Sequence, residues 1–558
     1  MQRKWWQESV VYQIYCRSFY DSDGDGIGDL PGVLSKLPYL KELGINCIWF
    51  TPIYTSPQVD NGYDVADYRN IDPMYGTLED FKHLLAEAHK LGIRIIIDMV
   101  LNHSSDQHKW FVESRKSRNN PYRDYYIWRD PKPDGSEPNN WGNAFLEGKG
   151  SAWEWDEQTG QYYLHNYSRH MPDLNWEHEP LRREIYDMMR FWLDMGVDGF
   201  RLDVITMIKK PAGLPDYPGE LSGNGYACSL EARAQRCNVP GIHDFLQEMH
   251  REVFSHYDMM TVGEASRITA ELAPDYVRPD RKELDSLYHF DICRRLPLPP
   301  TVVDMKKAYA RWAQVVENNC WIAQYLTNHD FPRQVSRFGD DTQYRTESAK
   351  LLATLIHTLP GSPYVYQGEE IGMTNVEFPN WEDYNDISIR SRRASMIAAG
   401  KSEQEIRAEL CPLSRDNSRT PFQWDASENA GFTTGTPWLK LNPRYSEINL
   451  EADKASADSI FAYYQKLIAM RKTNPAILDG RFRLLLPEHE RIVMYLRTCT
   501  QQTLLVVANF SGEALELPVP EEVAAHTWQP LLYNYEDSDP LASKTLRPWE
   551  AVLYEQTE

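Results

Sequence analysis

The stretch Gly199-Phe200-Arg201-Leu202-Asp203-Val204-Ile205 sets an arginine and an aspartate inside a run that otherwise reads as a strand buried on both faces. It follows an amphipathic segment closing on Met195-Gly196-Val197-Asp198, the pattern of helix, glycine stop and buried strand. Alternation of period two turns Arg201 and Asp203 to the same face, where the guanidinium orients the carboxylate and keeps it ionised. A carboxylate held in that way is equipped to act as a nucleophile. The plain alternative is a structural ion pair at a strand terminus.

The same unit recurs along the chain. Short apolar runs at Val10–Tyr15, Cys47–Pro52, Arg94–His103, Met259–Glu264, Trp321–Leu326 and Pro363–Tyr366, with a weaker one at Ser286–Ile292, alternate with helical patterns and end in polar groups. Together with the central run they make eight parallel strand candidates, which predicts an α/β chain built on a (β/α)8 TIM barrel whose chemistry lies at the carboxyl ends of its strands. Between His103 and Trp176 the connection is far longer than an ordinary βα loop and reads as a small domain inserted after strand 3. From about residue 480 the pattern changes to short alternating stretches such as Thr503–Phe510 and Ala551–Tyr554, which predict a C-terminal antiparallel β-sandwich. The expected boundaries are 1–103 and 177–480 for the barrel, 104–176 for the insert and 481–558 for the C-terminal domain.

Bulk properties narrow the function classes. A formal net charge of −22 over 558 residues argues against nucleic acid or an anionic membrane as partner. The start, Met1-Gln2-Arg3-Lys4-Trp5-Trp6, lacks the apolar core of a signal peptide, and no stretch is apolar for long enough to span a membrane. Eight scattered cysteines without a C-x-x-C pair read as reduced core thiols. The expectation is a cytoplasmic monomer acting on a small molecule. The 17 Trp and 33 Tyr are compatible with a carbohydrate site, because sugar rings stack their C–H faces on aromatics.

Directly after the first strand, Asp21, Asp23, Asp25 and Asp29 occupy positions 1, 3, 5 and 9 of a loop with Gly26 at position 6 and the Ile27 carbonyl at position 7. That is the ligand spacing of a calcium loop, although position 12 is Gly32 rather than glutamate. A structural Ca²⁺ held by Asp21, Asp23, Asp25, Ile27 and Asp29 is expected; an acidic glycine-rich turn without metal is the alternative.

Asp98-Met99-Val100-Leu101-Asn102-His103, Gly199–Asp203, Gly263-Glu264 and Asn328-His329-Asp330 resemble, in order and spacing, four signature regions of the α-amylase superfamily of glycoside hydrolases. Met171-Pro172-Asp173-Leu174-Asn175 resembles a further region that marks the oligo-1,6-glucosidase and neighbouring subfamilies. Tyr12–Tyr15, the calcium loop and Ser414–Pro421 extend the likeness over essentially the whole chain. The resemblance implies that Asp203 is the nucleophile, Glu264 the general acid/base and Asp330 a third carboxylate gripping the 2- and 3-hydroxyls of the sugar. It implies that His103 and His329 hydrogen-bond the same glucosyl ring, that Tyr63 is its stacking platform, and that Asp60 with Arg415 caps the 4-hydroxyl of the non-reducing end. The chemistry agrees: retention needs a nucleophilic carboxylate about 5–5.5 Å from a protonated one, and neighbouring barrel strands can supply both. In this setting Arg201 is expected to keep Asp203 ionised, and Glu264, facing other carboxylates, to hold its proton.

Substrate choice is less constrained. Val204 resembles relatives acting on α-1,6 bonds, where α-1,4-specific relatives tend to carry Ala; the alternative is an ordinary β-branched strand residue. A capped non-reducing end under an inserted domain implies exo-cleavage of a small oligosaccharide of the isomaltose, isomaltulose or trehalulose type. Phe331 and Met171 each stand where oligo-1,6-glucosidases usually show Gln, and Tyr167 where an active-site Phe is common. Rival readings are a trehalose-6-phosphate hydrolase, suggested by Tyr533–Glu536 and Leu546-Arg547-Pro548, and a sucrose isomerase, weakened because Cys293-Arg294-Arg295-Leu296-Pro297 lacks the aspartate of that group's motif. A degenerate, non-catalytic sugar-binding scaffold is the non-enzyme alternative.

Overall fold

The computed structural model describes residues 3–293, 300–536 and 539–557; Arg294 to Pro297 of the isomerase-like motif lie outside them. Eight short parallel strands form one sheet: β1 (Val11–Ile14), β2 (Cys47–Phe50), β3 (Arg94–Val100), β4 (Gly199–Asp203), β5 (Met260–Glu264), β6 (Ser286–Tyr288), β7 (Ala323–Gln324) and β8 (Ser362–Tyr366). Their spatial order is β6-β5-β4-β3-β2-β1-β8-β7, and a parallel bridge between Leu287 and Ile322 joins β6 to β7 and closes the barrel. The expected (β/α)8 barrel is therefore present, with all its strands but β8 shorter than the apolar runs that predicted them.

Two differences in strand ends bear on the site. Asp98 does not end β3 but lies within it, paired in register with Arg201 of β4. The run at 199–205 is not one strand: β4 stops at Asp203, Val204 turns into the left-handed region at φ 36°, and a 3-10 turn covers Ile205–Met207. A β-branched residue in that region is strained, so the surrounding contacts must impose it. At the other end of β4, Gly199 is required by packing: a Cβ there would meet the Met260 carbonyl of β5 at 2.1 Å.

The insert carries a three-stranded antiparallel sheet of Trp128–Arg129, Trp153–Asp156 and Gln161–Leu164. It is stitched back to the barrel rim by an antiparallel bridge between His103 and Asp173, while one between Tyr126 and Leu174 lies within the insert. The C-terminal domain is a five-stranded antiparallel sheet facing a two-stranded one, Leu515–Glu516 with Thr545–Leu546. Period-two alternation divides its strands: Leu505, Val507 and Val552 face the small sheet, whereas Leu504, Val506 and Leu553 join the core of the barrel. All eight cysteines are free thiols, six of them buried. Among the described residues no helix is long and apolar enough to cross a membrane.

Candidate active site

Arg201 is the hub of the barrel mouth. Its Nη1 donates to Asp98 Oδ1 at 2.8 Å and to Asp203 Oδ1 at 2.6 Å, and its Nη2 donates to Glu264 Oε2 at 2.8 Å. The arginine is 2% exposed, so this is a buried cluster of three carboxylates on one guanidinium. Glu264, the last residue of β5, also accepts the Val204 backbone N–H at 3.1 Å. The left-handed turn at Val204 thus aims an amide at the acid on the next strand.

The expectation that Arg201 keeps Asp203 ionised runs against burial, because the guanidinium is shared by three carboxylates. Burial pushes the Asp203 carboxyl well above the usual range; Arg201 opposes this, and the charges of Glu264 and Asp98, with a hydrogen bond to Glu264, add to it. Asp98 is raised to about 6 by burial against the pull of the same Arg201. One cation cannot offset three buried anions, so the cluster retains a proton near neutrality.

Beside it runs a polar chain. Gln13 Nε2 lies 2.7 Å from His329 Nδ1, His329 Nε2 lies 2.7 Å from the Tyr63 hydroxyl, and that hydroxyl donates to Asp98 Oδ2 at 2.9 Å. The Tyr63 and His329 rings are stacked at 5.2 Å. Burial lowers His329 to about 3 and His103 to about 4, so both act as neutral imidazoles.

Asp330 is more open than Asp203 or Glu264, its side chain being 25% exposed, and it is held by Arg419 Nη2 at 3.0 Å and Arg415 Nη1 at 3.5 Å. Arg415 Nη2 also meets Asp60 Oδ1 at 2.9 Å and Asp386 Oδ1 at 2.8 Å. Asp60 and Arg415, the expected cap, are thus joined in one ion-pair network with Asp330 and Asp386. Arg415 also lies over the Phe145 ring at 5.4 Å, and Tyr167 packs 5.7 Å from Phe145 and 5.3 Å from His103, bordering an apolar group of Val204, Met207 and Cys237. Phe331 packs 5.9 Å from Phe290, with Arg337 over its ring at 5.3 Å. Met171 is buried in the main core.

In the acidic loop, carboxylate oxygens of Asp21, Asp23 and Asp29 lie within 4.8 Å of one another. Asp25 is not in that group; its Oδ1 accepts the Ile27 amide at 2.8 Å. The donor set is all oxygen, which fits a hard divalent cation.

Asp98, Phe145, Asp386 and Arg419 are site residues that sequence reasoning did not select. Asp98 and Arg419 lie inside motifs already quoted; Asp386 follows an irregular loop and carries no local signal.

The chain matches the family model described as alpha amylase, catalytic domain, over residues 13–480, and the maltogenic amylase C-terminal domain over 482–553. It is 50% identical over 568 residues to an oligo-1,6-glucosidase of Parageobacillus thermoglucosidasius, covering 99% of both chains. It is 45% identical to a trehalose-6-phosphate hydrolase of Bacillus subtilis (strain 168), covering 100% of this chain and 99% of the relative. The trehalulose synthase from Pseudomonas mesoacidophila MX-45 superposes with a TM-score of 0.92 at 42% identity, covering 100% of both chains. With this geometry and these matches spanning its full length, the chain belongs to the α-amylase family of glycoside hydrolases.

Proposed function

We propose that this enzyme is a retaining, exo-acting α-glucosidase that releases terminal α-1,6-linked glucose from short oligosaccharides of the isomaltose, isomaltulose or trehalulose type. The observation that carries the reading is the guanidinium shared by Asp203 and Glu264, one nitrogen on each. Two acids on neighbouring strands that share one guanidinium suit the close spacing of retaining enzymes, about 5–5.5 Å, better than the wider one that leaves room for an inverting water.

Asp203 attacks the anomeric carbon and forms a glucosyl ester while Glu264 protonates the departing glycosidic oxygen. Glu264 then takes a proton from water, which displaces Asp203 and yields α-glucose. Asp330 holds the 2- and 3-hydroxyls, aided by neutral His103 and His329. Tyr63 lies under the ring, and its hydroxyl ties Asp98 to His329. Asp60 and Arg415 cap the 4-hydroxyl, and their ion pair is the support for exo-action. Val204, Tyr167 and Phe331 border the leaving-group side, where an α-1,6 linkage is chosen over α-1,4.

The acidic loop is assigned a structural Ca²⁺ held by Asp21, Asp23 and Asp29, with Ile27 contributing its carbonyl and Asp25 at the periphery. The free thiols support a cytoplasmic setting.

The test is a kcat/KM panel over isomaltose, isomaltulose, trehalulose, maltose, sucrose and trehalose 6-phosphate, with the anomer of the released glucose followed by NMR. The α-1,6 disaccharides lead the panel and α-glucose appears first. Release of β-glucose, a preference for trehalose 6-phosphate, or isomerisation of sucrose as the main reaction would each overturn the reading.

A further inference from the structure

Lys210 is a buried cation outside the acid cluster, on the loop that follows β4, and only 8% exposed. Its ammonium meets three acceptors: Asp173 Oδ2 at 2.6 Å, Asn102 Oδ1 at 2.6 Å and the Met207 carbonyl at 2.8 Å. Three N–H groups and three oxygens leave nothing over, so the lysine has no donor to offer a ligand.

Asp173, fully buried, accepts from the Asn166 backbone amide at 2.8 Å on Oδ1, and on Oδ2 from Asn166 Nδ2 at 2.6 Å and Asn102 Nδ2 at 3.2 Å. Asn102 therefore stands between a group that only donates and one that only accepts. Its amide can sit one way round, with oxygen towards Lys210 and nitrogen towards Asp173.

The same Nδ2 lies 3.2 Å from His103 Nδ1. A donating amide makes Nδ1 an acceptor, which places the ring proton of a neutral histidine on Nε2. Among the described residues that Nε2 meets no side-chain hydrogen-bond partner, and the ring faces the Tyr63 backbone. The arrangement recurs at Asn166, which shares Asp173: Arg236 Nη1 holds its Oδ1 at 2.7 Å and the next residue is Tyr167. In both places a buried cation orients an asparagine, and the two residues that follow, His103 and Tyr167, pack against each other at 5.3 Å.

We propose that Lys210 is a positioning residue that sets the tautomer of His103 through Asn102, so that Nε2–H is presented to a hydroxyl of the bound sugar. The part played by the sugar rests on the glucosidase reading; the tautomer does not.

The test is NMR of the full chain with ¹⁵N-labelled histidine, the His103 signals being identified by their loss in His103→Gln. The wild type shows a protonated Nε2 and a pyridine-type Nδ1. Asn102→Asp keeps an acceptor for Lys210 but replaces the donor facing Nδ1, so the proton moves to Nδ1; this variant carries the test even where Lys210→Met does not fold. With p-nitrophenyl α-glucoside, K210M and N102D each lose about 10–100-fold in kcat/KM, the range for partners acting through a ligand-holding side chain. K210M combined with H103Q is within about twofold of H103Q alone, because the lysine acts through the histidine. A wild-type His103 protonated on Nδ1, an unchanged tautomer in N102D, or losses that multiply in the double variant would overturn the proposal. A folded wild type with no glucosidase activity instead overturns the functional reading, and the NMR result still decides the tautomer.

Discussion

Arg201 Nη1 stands 2.6 Å from Asp203 Oδ1, two residues along the same strand, yet this contact does not secure the charge on Asp203, because the guanidinium is shared with two other acids. Burial and like charge push the Asp203 carboxyl up. The expected outcome for Asp203→Asn is therefore double. Activity on p-nitrophenyl α-glucoside falls about 10⁴-fold or more through loss of the nucleophile. Stability at pH 7 rises, because a buried acid crowded by Glu264 and Asp98 has been replaced by a neutral amide. Kinetics and chemical denaturation of the same preparation check both; comparable activity in the two proteins would remove Asp203 from the mechanism.

Arg415 neutralises both Asp60 and Asp386 beside Asp330. Arg415→Ala strands those buried carboxylates and is expected to cost about 3–5 kcal/mol of stability. In the fraction that folds, KM for a terminal glucoside rises more than kcat falls. Steady-state kinetics beside a denaturant curve reads both effects, and an unchanged KM would detach Arg415 from the sugar.

Val204 borders Tyr167, Met207 and Cys237. Val204→Ala removes two methyl groups from the proposed leaving-group side and is expected to lower the isomaltose-to-maltose ratio of kcat/KM by about tenfold or more, the scale on which single methylenes discriminate. An unaltered ratio would make Val204 a residue of the turn alone.

Acid lability follows from buried histidines. Burial lowers His103, His165, His289 and His357 to about 4 and His108 and His329 to about 3, from 6.5. Each folded-state pKa lies below the unfolded one, so their stabilisation is present above about pH 6.5 and is lost as pH falls towards 4. Asp64, Asp98, Asp285 and Asp416, raised to about 6, act in the opposite sense over about pH 6 to 4. Asp203, Glu369 and Glu370, also raised by burial, act in that same sense, so the histidine effect is read by difference: between pH 7 and 5 the thermal midpoint falls further, or rises less, in the wild type than in His357→Gln. Equal shifts in the two proteins would contradict the assignment of a neutral buried His357.

Chelation tests the acidic loop. Ca²⁺ at about 100 times its Kd is expected to add about 2.7 kcal/mol to the stability of the chelated protein. Asp21→Asn abolishes the gain, while calorimetry on the wild type records uptake of one ion. No uptake would leave the loop a turn capped by its own backbone amides.

The residues that carry the proposed chemistry were legible from local pattern: Asp203, Glu264, His329 and Asp330 close apolar runs, and a polar group at the end of a buried strand announces itself within a few residues. The eight-strand repeat likewise determined the barrel, since periodicity and glycine stops act over one element at a time. Tertiary structure alone decided how those groups share charge. Asp98 came into register with Arg201 from a neighbouring strand, Asp386 entered from a loop without a signal, and Arg415 reached Asp60 across 355 positions of sequence. The left-handed turn at Val204 was equally invisible, because local propensity favours extension there and only the pull of Glu264 and the packing around it impose the strain. Strand and helix arise from contacts between near neighbours in the chain. Protonation state and pocket closure arise from buried charges summed over every strand that meets at the barrel mouth, and that sum exists only once the barrel has closed.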